Sequence, residues 1–196
     1  MFADYHVHTE FSDDSRYPME DVIRDAVKMG MDEICITDHV DYGVKADWDC
    51  GQEIQYRKGD PLANVDYPRY MEKLRALKEE YQGKITIRTG MEFGVQMHTI
   101  PEFEALFARY PFDFIIASSH LVNGRDPYYP ESYFSGITEE EGYRAYFETI
   151  MANMQAFSGF HSYGHIDYVV RYGTHRNQNY SYEKYSYCGK TAEFSV

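Results

Sequence analysis

The sequence predicts an α/β fold built on a parallel sheet of the barrel type. Three observations predict it. Short apolar stretches of strand character alternate with amphipathic stretches of helical spacing along most of the 196 residues. Each of the strand-like stretches ends on a histidine or a glutamate, and an α/β barrel gathers the side chains of its strand ends at one face. The opening run Asp4-Tyr-His6-Val-His8 places two imidazoles at i and i+2, on the same face of a strand.

Taken in order, residues 2–7 read as the first strand, with Asp13 and Asp14 following in the loop. Residues 18–29 read as a helix. Pro18 suits its first turn, Glu20 and Asp21 its positive end, and Gly30 stops it. Residues 33–37 form a buried strand ending at Asp38-His39. Residues 40–66 have no periodicity and read as a long loop shaping a pocket. An amphipathic helix over 67–81 follows, with Met71, Leu74 and Leu77 on one stripe. Residues 84–90 alternate like a strand and lead into Met91-Glu92-Phe93. After a short helix at 101–110, residues 112–118 form a fourth strand ending at Ser119-His120. Thr138, with Glu141 three residues on, caps a long helix running to about Phe157. Residues 161–171 contain a fifth strand carrying His165 and Asp167.

The formal charge of −13 argues against a nucleic-acid-binding face and against an anionic membrane surface. It leaves room for a phosphorylated substrate, since bound cations reverse the local sign of a site. Cys35, Cys50 and Cys188 are scattered and imply no disulfide framework. No signal peptide and no apolar run near 18 residues is present, so a cytoplasmic protein is expected.

His6 and His8, His39, Glu92, His120 and His165 therefore close five successive strands. A lone histidine is usually structural, but five strand ends repeating the pattern point to a polynuclear metal site. Imidazoles and carboxylates without thiolates suit Zn, Fe or Mn, and the matching chemistry is hydrolysis.

The motifs His6-Val-His8-Thr-Glu-Phe-Ser-Asp-Asp14, Thr37-Asp-His39, Gly90-Met-Glu92-Phe-Gly94, Ser118-Ser-His120 and Gly164-His165-Ile-Asp167 resemble, as an ordered set, the polymerase-and-histidinol-phosphatase (PHP) superfamily, most of all its histidinol-phosphatase branch. The resemblance implies a distorted seven-stranded β/α barrel and two or three divalent ions. It also implies hydrolysis of L-histidinol phosphate, in histidine biosynthesis, by a metal-activated hydroxide. Position by position, it makes His6 and His8 ligands of one metal and Glu92 a carboxylate bridging to a second. His120 and His165 hold that second metal, and Asp14 and His39 the third. Asp14 is preferred to Asp13 by spacing, and Glu92, His120 and Asp14 are the residues expected to carry the chemistry. Arg171 is the candidate for gripping phosphate, with Arg125 as a second. His98 is read as an ordinary loop histidine, His161 as an alternative ligand, Asp167 as a partner of His165 on the same strand face, and His175 has no case.

The family pattern continues to a late Asp-x-His motif that this sequence does not match. Residues 1–196 are thus expected to be a single PHP domain, incomplete at its C-terminal end, with about five of the barrel's units. Open sheet edges then make a homo-oligomer plausible. Two readings stand beside histidinol phosphate hydrolysis: a phosphoesterase for another small phosphorylated substrate, and an inactive metal-binding fold.

Overall fold

The computed structural model describes residues 1–51, 53–57 and 59–174. The elements run β1 (Ala3–Val7), α1 (Met19–Lys28), β2 (Glu33–Ile36), β3 (His39–Val40), β4 (Tyr56–Arg57), β5 (Asp60–Pro61), α2 (Tyr67–Glu80), β6 (Thr86–Gly94), α3 (Ile100–Arg109), β7 (Phe114–Ser118), α4 (Pro130–Tyr133), α5 (Glu139–Ala156) and β8 (Ser162–Tyr163), then a 3₁₀ turn over Tyr168–Tyr172.

The main sheet is parallel, in the order β1-β2-β6-β7-β8. The long central strand β6 pairs with β2 along its first half and with β3 along its second, where His39 lies opposite Glu92. All four residues of β2 are buried, as expected of a parallel strand covered on both faces. The sheet curls into a half-barrel, so that the ends of its outermost strands approach one another. The rings of His6, on β1, and His165, just past β8, have centroids 5.7 Å apart.

The larger core lies between the sheet and α1, α2 and α3. It contains Ile23 and Ala26 of α1, Tyr70, Leu74 and Leu77 of α2, Phe103 and Leu106 of α3, and Ile34, Ile36, Met91, Phe93 and Ile115 from the strands. Tyr70 is fully buried, and its hydroxyl sits 2.9 Å from the Ile36 carbonyl and 3.0 Å from that of Gly90, satisfying oxygens at the point where the strands part. Gly90 has to be glycine there, because a Cβ would come within 2.6 Å of Cys35 Sγ and 2.8 Å of the Phe114 carbonyl. A second cluster, rich in tyrosine, joins α5 to the 3₁₀ turn through Tyr133, Tyr143, Tyr146, Phe147, Ile150 and Val169. The expected capping box at Thr138 and Glu141 begins α5.

The fold class is the one expected; three local readings differ. The fifth strand is only Ser162–Tyr163, because the backbone leaves the sheet at Gly164 and His165, the latter at φ 20°. A Cβ at Gly164 would collide with Ser118 Oγ, and Val169 is needed in the second cluster. Asp167 therefore does not share a strand face with His165; it precedes the 3₁₀ turn. Within the 40–66 loop, β4 and β5 form a short antiparallel hairpin. His175, Cys188 and the polar tail lie outside the described residues.

Candidate metal centre

Parallel strands deliver their C-terminal ends to one rim, and the central strand β6 delivers Glu92. Its side chain has no solvent exposure, and an isolated buried carboxylate would be strongly disfavoured. Here it is surrounded by imidazoles. His6 Nε2 lies 2.9 Å and His8 Nε2 3.0 Å from Glu92 Oε2, with His39 Nδ1 at 3.5 Å. On the other oxygen, Oε1, His120 Nε2 stands at 3.2 Å and His165 Nε2 at 2.9 Å, and Ser118 Oγ donates at 2.6 Å. One carboxylate thus faces two separate sets of imidazoles through its two oxygens.

The loop after β1 is pinned by Asp38, which is wholly buried. Its carboxylate accepts from the Thr9 backbone N–H (2.6 Å), the Thr9 hydroxyl (2.7 Å) and the Ser12 hydroxyl (2.7 Å). That anchoring brings Asp14 Oδ2 to 2.8 Å from His8 Nδ1 and 3.4 Å from His39 Nε2. Its neighbour Asp13 turns instead to Lys45 Nζ, 2.7 Å away.

The electrostatics follow from these contacts. Burial alone would raise Glu92, but the imidazoles of His120, His165, His6 and His8 gathered around it hold it well below the usual carboxylate range. Burial would lower His8, yet Asp14 and Glu92 raise it to about 10. The same holds for His120, which Asp41 and Glu92 lift to about 10 against burial. His165 is lowered, chiefly by burial. The protein has gathered acceptors around points of high positive-charge affinity, which protons fill when no metal does.

The donor set fits a metal. Among the described residues, His8 Nε2, His39 Nδ1 and His165 Nδ1 are buried and find no hydrogen-bond partner, although the first two lie 3.0 and 3.5 Å from Glu92 Oε2. The His8 and His39 nitrogens approach one carboxylate oxygen without a hydrogen bond to it, which is the geometry of ligands around a cation. Among the described residues, three groups bring their ligand atoms within 4.8 Å of one another: His6, Glu92 and His165; His8, His39 and Glu92; and His39, Asp41 and His120. The grouping differs from the expected one in linking His6 to His165 across the curl and in adding Asp41.

Other expected residues are placed differently. His161 points away from the cluster: its Nδ1 accepts from the Ile115 N–H at 3.0 Å and its ring stacks on Phe114, so it is not an alternative ligand. Arg125 and Arg171 line an open cleft of about 2210 Å³ above the cluster, as does His98. Arg125 Nη1 is 3.4 and 3.3 Å from the carbonyls of Ser132 and Ser135, and Arg171 lies over the Tyr168 ring at 6.0 Å. Sequence reading missed Asp41, Lys45 and Asp126. Asp41 carried a signal, since it follows His39 by two residues, but an acid outside a strand end drew no notice. Asp126, held by the Tyr128 N–H at 2.8 Å and the Tyr168 hydroxyl at 3.3 Å, is raised by burial and left no mark in the motif pattern.

A parallel half-barrel whose strand ends surround a buried glutamate with imidazoles defines a class: α/β proteins with a histidine–carboxylate cluster able to hold more than one metal ion. Comparison with known proteins agrees. The PHP domain model matches residues 4–192, and the chain belongs to that family. It is 30% identical over 176 residues to the histidinol-phosphatase of Lactococcus lactis, covering 90% of this chain and 60% of that protein. The histidinol-phosphatase of Bacillus subtilis is 26% identical over 184 residues, covering 86% and 67%. The crystal structure of the Lactococcus lactis histidinol phosphate phosphatase, complexed with Zn, L-histidinol and phosphate, superposes with a TM-score of 0.82 at 28% identity, over 95% of this chain and 66% of that one. A Listeria monocytogenes structure, at 20% identity and a TM-score of 0.75, shares the fold. The chain spans 60% of the length of the Lactococcus lactis relative.

Proposed function

We propose that this chain is a metal-dependent phosphoric monoester hydrolase acting on L-histidinol phosphate, releasing L-histidinol and phosphate. The observation that carries this reading is Glu92, with Oε2 toward His6 and His8 and Oε1 toward His120 and His165. A carboxylate so placed could serve two cations at once, and such a pair would supply the charge stabilisation that in-line displacement at phosphorus calls for. The names of the relatives supply the substrate.

The ligands proposed are His6, His8, Asp14, His39, Glu92, His120 and His165, for two or three ions of Zn, Fe or Mn. Bound there, such ions supply acidified water and polarise phosphoryl oxygens. The protein's part is orientation. Glu92 keeps both oxygens presented because Ser118 and the imidazoles surround it. Asp14 holds the His8 ring, and the anchoring of Thr9 and Ser12 by Asp38 holds Asp14. Arg171, with Arg125, is proposed to grip the phosphate from the cleft wall, where a guanidinium offers two parallel donors. A second reading keeps the site and changes the substrate: the cleft is open enough for other small phosphate esters.

Residues 1–196 are proposed to act as one PHP domain, in the cytoplasm and in histidine biosynthesis, with self-association through a sheet edge and no nucleic-acid or membrane partner. Among the described residues no helix is long and apolar enough to cross a membrane. The test is phosphate release from L-histidinol phosphate with Zn, Mn and Fe supplied in turn, beside His120→Ala. Turnover that vanishes in the variant supports the reading. Turnover on other small phosphate esters alone moves it to the second substrate class, and bound metal with no turnover on any ester overturns it.

A further inference from the structure

The proposed ligands use every imidazole at the strand ends but leave Asp41 without a role. This carboxylate is nearly buried and is held from three sides. Its backbone N–H donates to Asn64 Oδ1 at 2.9 Å. Its Oδ2 is 2.9 Å from Lys45 Nζ, an ammonium whose side chain is only 6% exposed and which also meets Asp13 Oδ1. Its Oδ1 is 2.6 Å from His120 Nδ1. A carboxylate can only accept, so Nδ1 keeps its hydrogen toward Asp41, and Nε2, 3.2 Å from Glu92 Oε1, is the nitrogen whose proton a metal would replace.

Asp41 lies just past β3 and His120 just past β7, so the contact has to cross the end of β6, which separates them in the sheet. It crosses at Gly94. A Cβ on Gly94 would run into Asp41 Oδ1 and lie 2.8 Å from His120 Nδ1. Glycine at the end of β6 is what allows the two side chains to meet. Asp41 also sits within 4.8 Å of ligand atoms on His39 and His120, so direct metal binding is the rival role. Against that rival, one of its oxygens is occupied by an imidazole N–H and the other by an ammonium, which would repel a cation sharing the carboxylate.

We propose that Asp41 is a positioning residue: neutralised by Lys45 and given room by Gly94, it fixes the ring and tautomer of His120 so that Nε2 is presented to a divalent metal beside Glu92. The inference rests on the metal-centre reading above and not on the substrate. Carboxylates that hold the far nitrogen of a ligating histidine typically contribute about 10–100-fold in metal affinity.

The test uses the full chain loaded with zinc, comparing the unmodified protein with Asp41→Ala, Asp41→Asn and Gly94→Ala. Zinc per chain, zinc affinity by chelator competition, the His120 ring N–H signal in nitrogen–proton correlation spectra, and phosphate release are measured together. The proposal expects unchanged zinc stoichiometry at saturation, about 10–100-fold weaker binding in Asp41→Ala, and a smaller loss in Asp41→Asn, whose amide oxygen still accepts. The His120 Nδ1–H signal is expected to be lost or strongly shifted in Asp41→Ala. Gly94→Ala keeps the carboxylate but closes the gap, displacing both Asp41 and the His120 ring, and should weaken zinc binding at least as much as Asp41→Ala; Asp41→Asn decides the matter if Asp41→Ala does not fold. Loss of one whole zinc equivalent with unchanged affinity for the rest would make Asp41 a direct ligand and overturn the proposal. So would unchanged affinity and an unchanged His120 signal. Unmodified protein that binds zinc but does not release phosphate overturns the substrate reading alone, whereas failure to bind zinc removes both.

Discussion

The two walls of the cleft are built on different principles. On one side, β1, β2, β6 and β7 stand on a large aliphatic and aromatic core, with Phe93 and Phe103 stacked at 4.3 Å between ring centroids and neither exposed. On the other, α5 and the 3₁₀ turn pack around tyrosines whose hydroxyls reach polar partners, such as Tyr133 to the Gly142 carbonyl at 2.8 Å. Most of the histidines and Glu92 stand on the first wall; Arg125, Asp126, Tyr168 and Arg171 belong to the second. Metal ligands have to be held to within fractions of an ångström, so strand ends over a close-packed core suit them. Groups that grip a substrate have to reach into a cleft, so loops and amphipathic rings suit them.

The comparison is broken most severely at the core. Phe103→Ala should cost about 3–5 kcal/mol in chemical denaturation, since the ring is fully enclosed; a loss below about 1 kcal/mol would mean that the first wall is not the rigid one. Glu92→Gln comes next. It removes the charge facing both sets of imidazoles and should lower zinc affinity by more than the about 100-fold ascribed to a supporting residue, read by chelator competition.

A third prediction concerns pH. In the metal-free chain His8 and His120 are raised from 6.5 to about 10. A raised folded-state value contributes stability that is fully present below pH 6.5 and is lost as pH rises toward 10. The metal-free chain should therefore lose thermal stability over that window. The zinc-loaded chain should not, because zinc has displaced those protons, and zinc affinity should climb as pH rises. Melting curves at a series of pH values, with and without zinc, check both signs.

The second wall should respond more gently. Arg171→Ala is expected to raise KM for the phosphate ester by about tenfold, the value of one charge-assisted hydrogen bond, with zinc affinity unchanged; a fall in zinc affinity instead would assign Arg171 to the first wall. Tyr146→Phe removes only a long bond, 3.4 Å from the hydroxyl to the His165 carbonyl, and should cost about 1 kcal/mol or less in denaturation.

How much of this was legible depends on the range of the interaction. His6 and His8 were readable because a strand repeats every two residues, and their rings lie 5.1 Å apart as that period requires. The capping box of α5 was equally local. The fifth strand was overread, since Val169 and Val170 look like strand residues and only their packing against α5 turns them into a 3₁₀ segment. Asp13 and Asp14 could not be separated firmly by spacing, and what separates them is Lys45, 32 positions from Asp13.

The sequence by itself determined the alternation of strands and helices, the chemical type of the side chains at the strand ends, and hence the class of ion that would suit them. Those properties depend on neighbours within one or two turns or pleats. Only the tertiary structure decided that β6 lies between β2 and β7, so that Glu92 faces imidazoles through both oxygens, and that Gly94 opens the gap through which Asp41 reaches His120. Strand order and the approach of one side chain to another across a third strand are set by the packing of the whole core, and no local period encodes them.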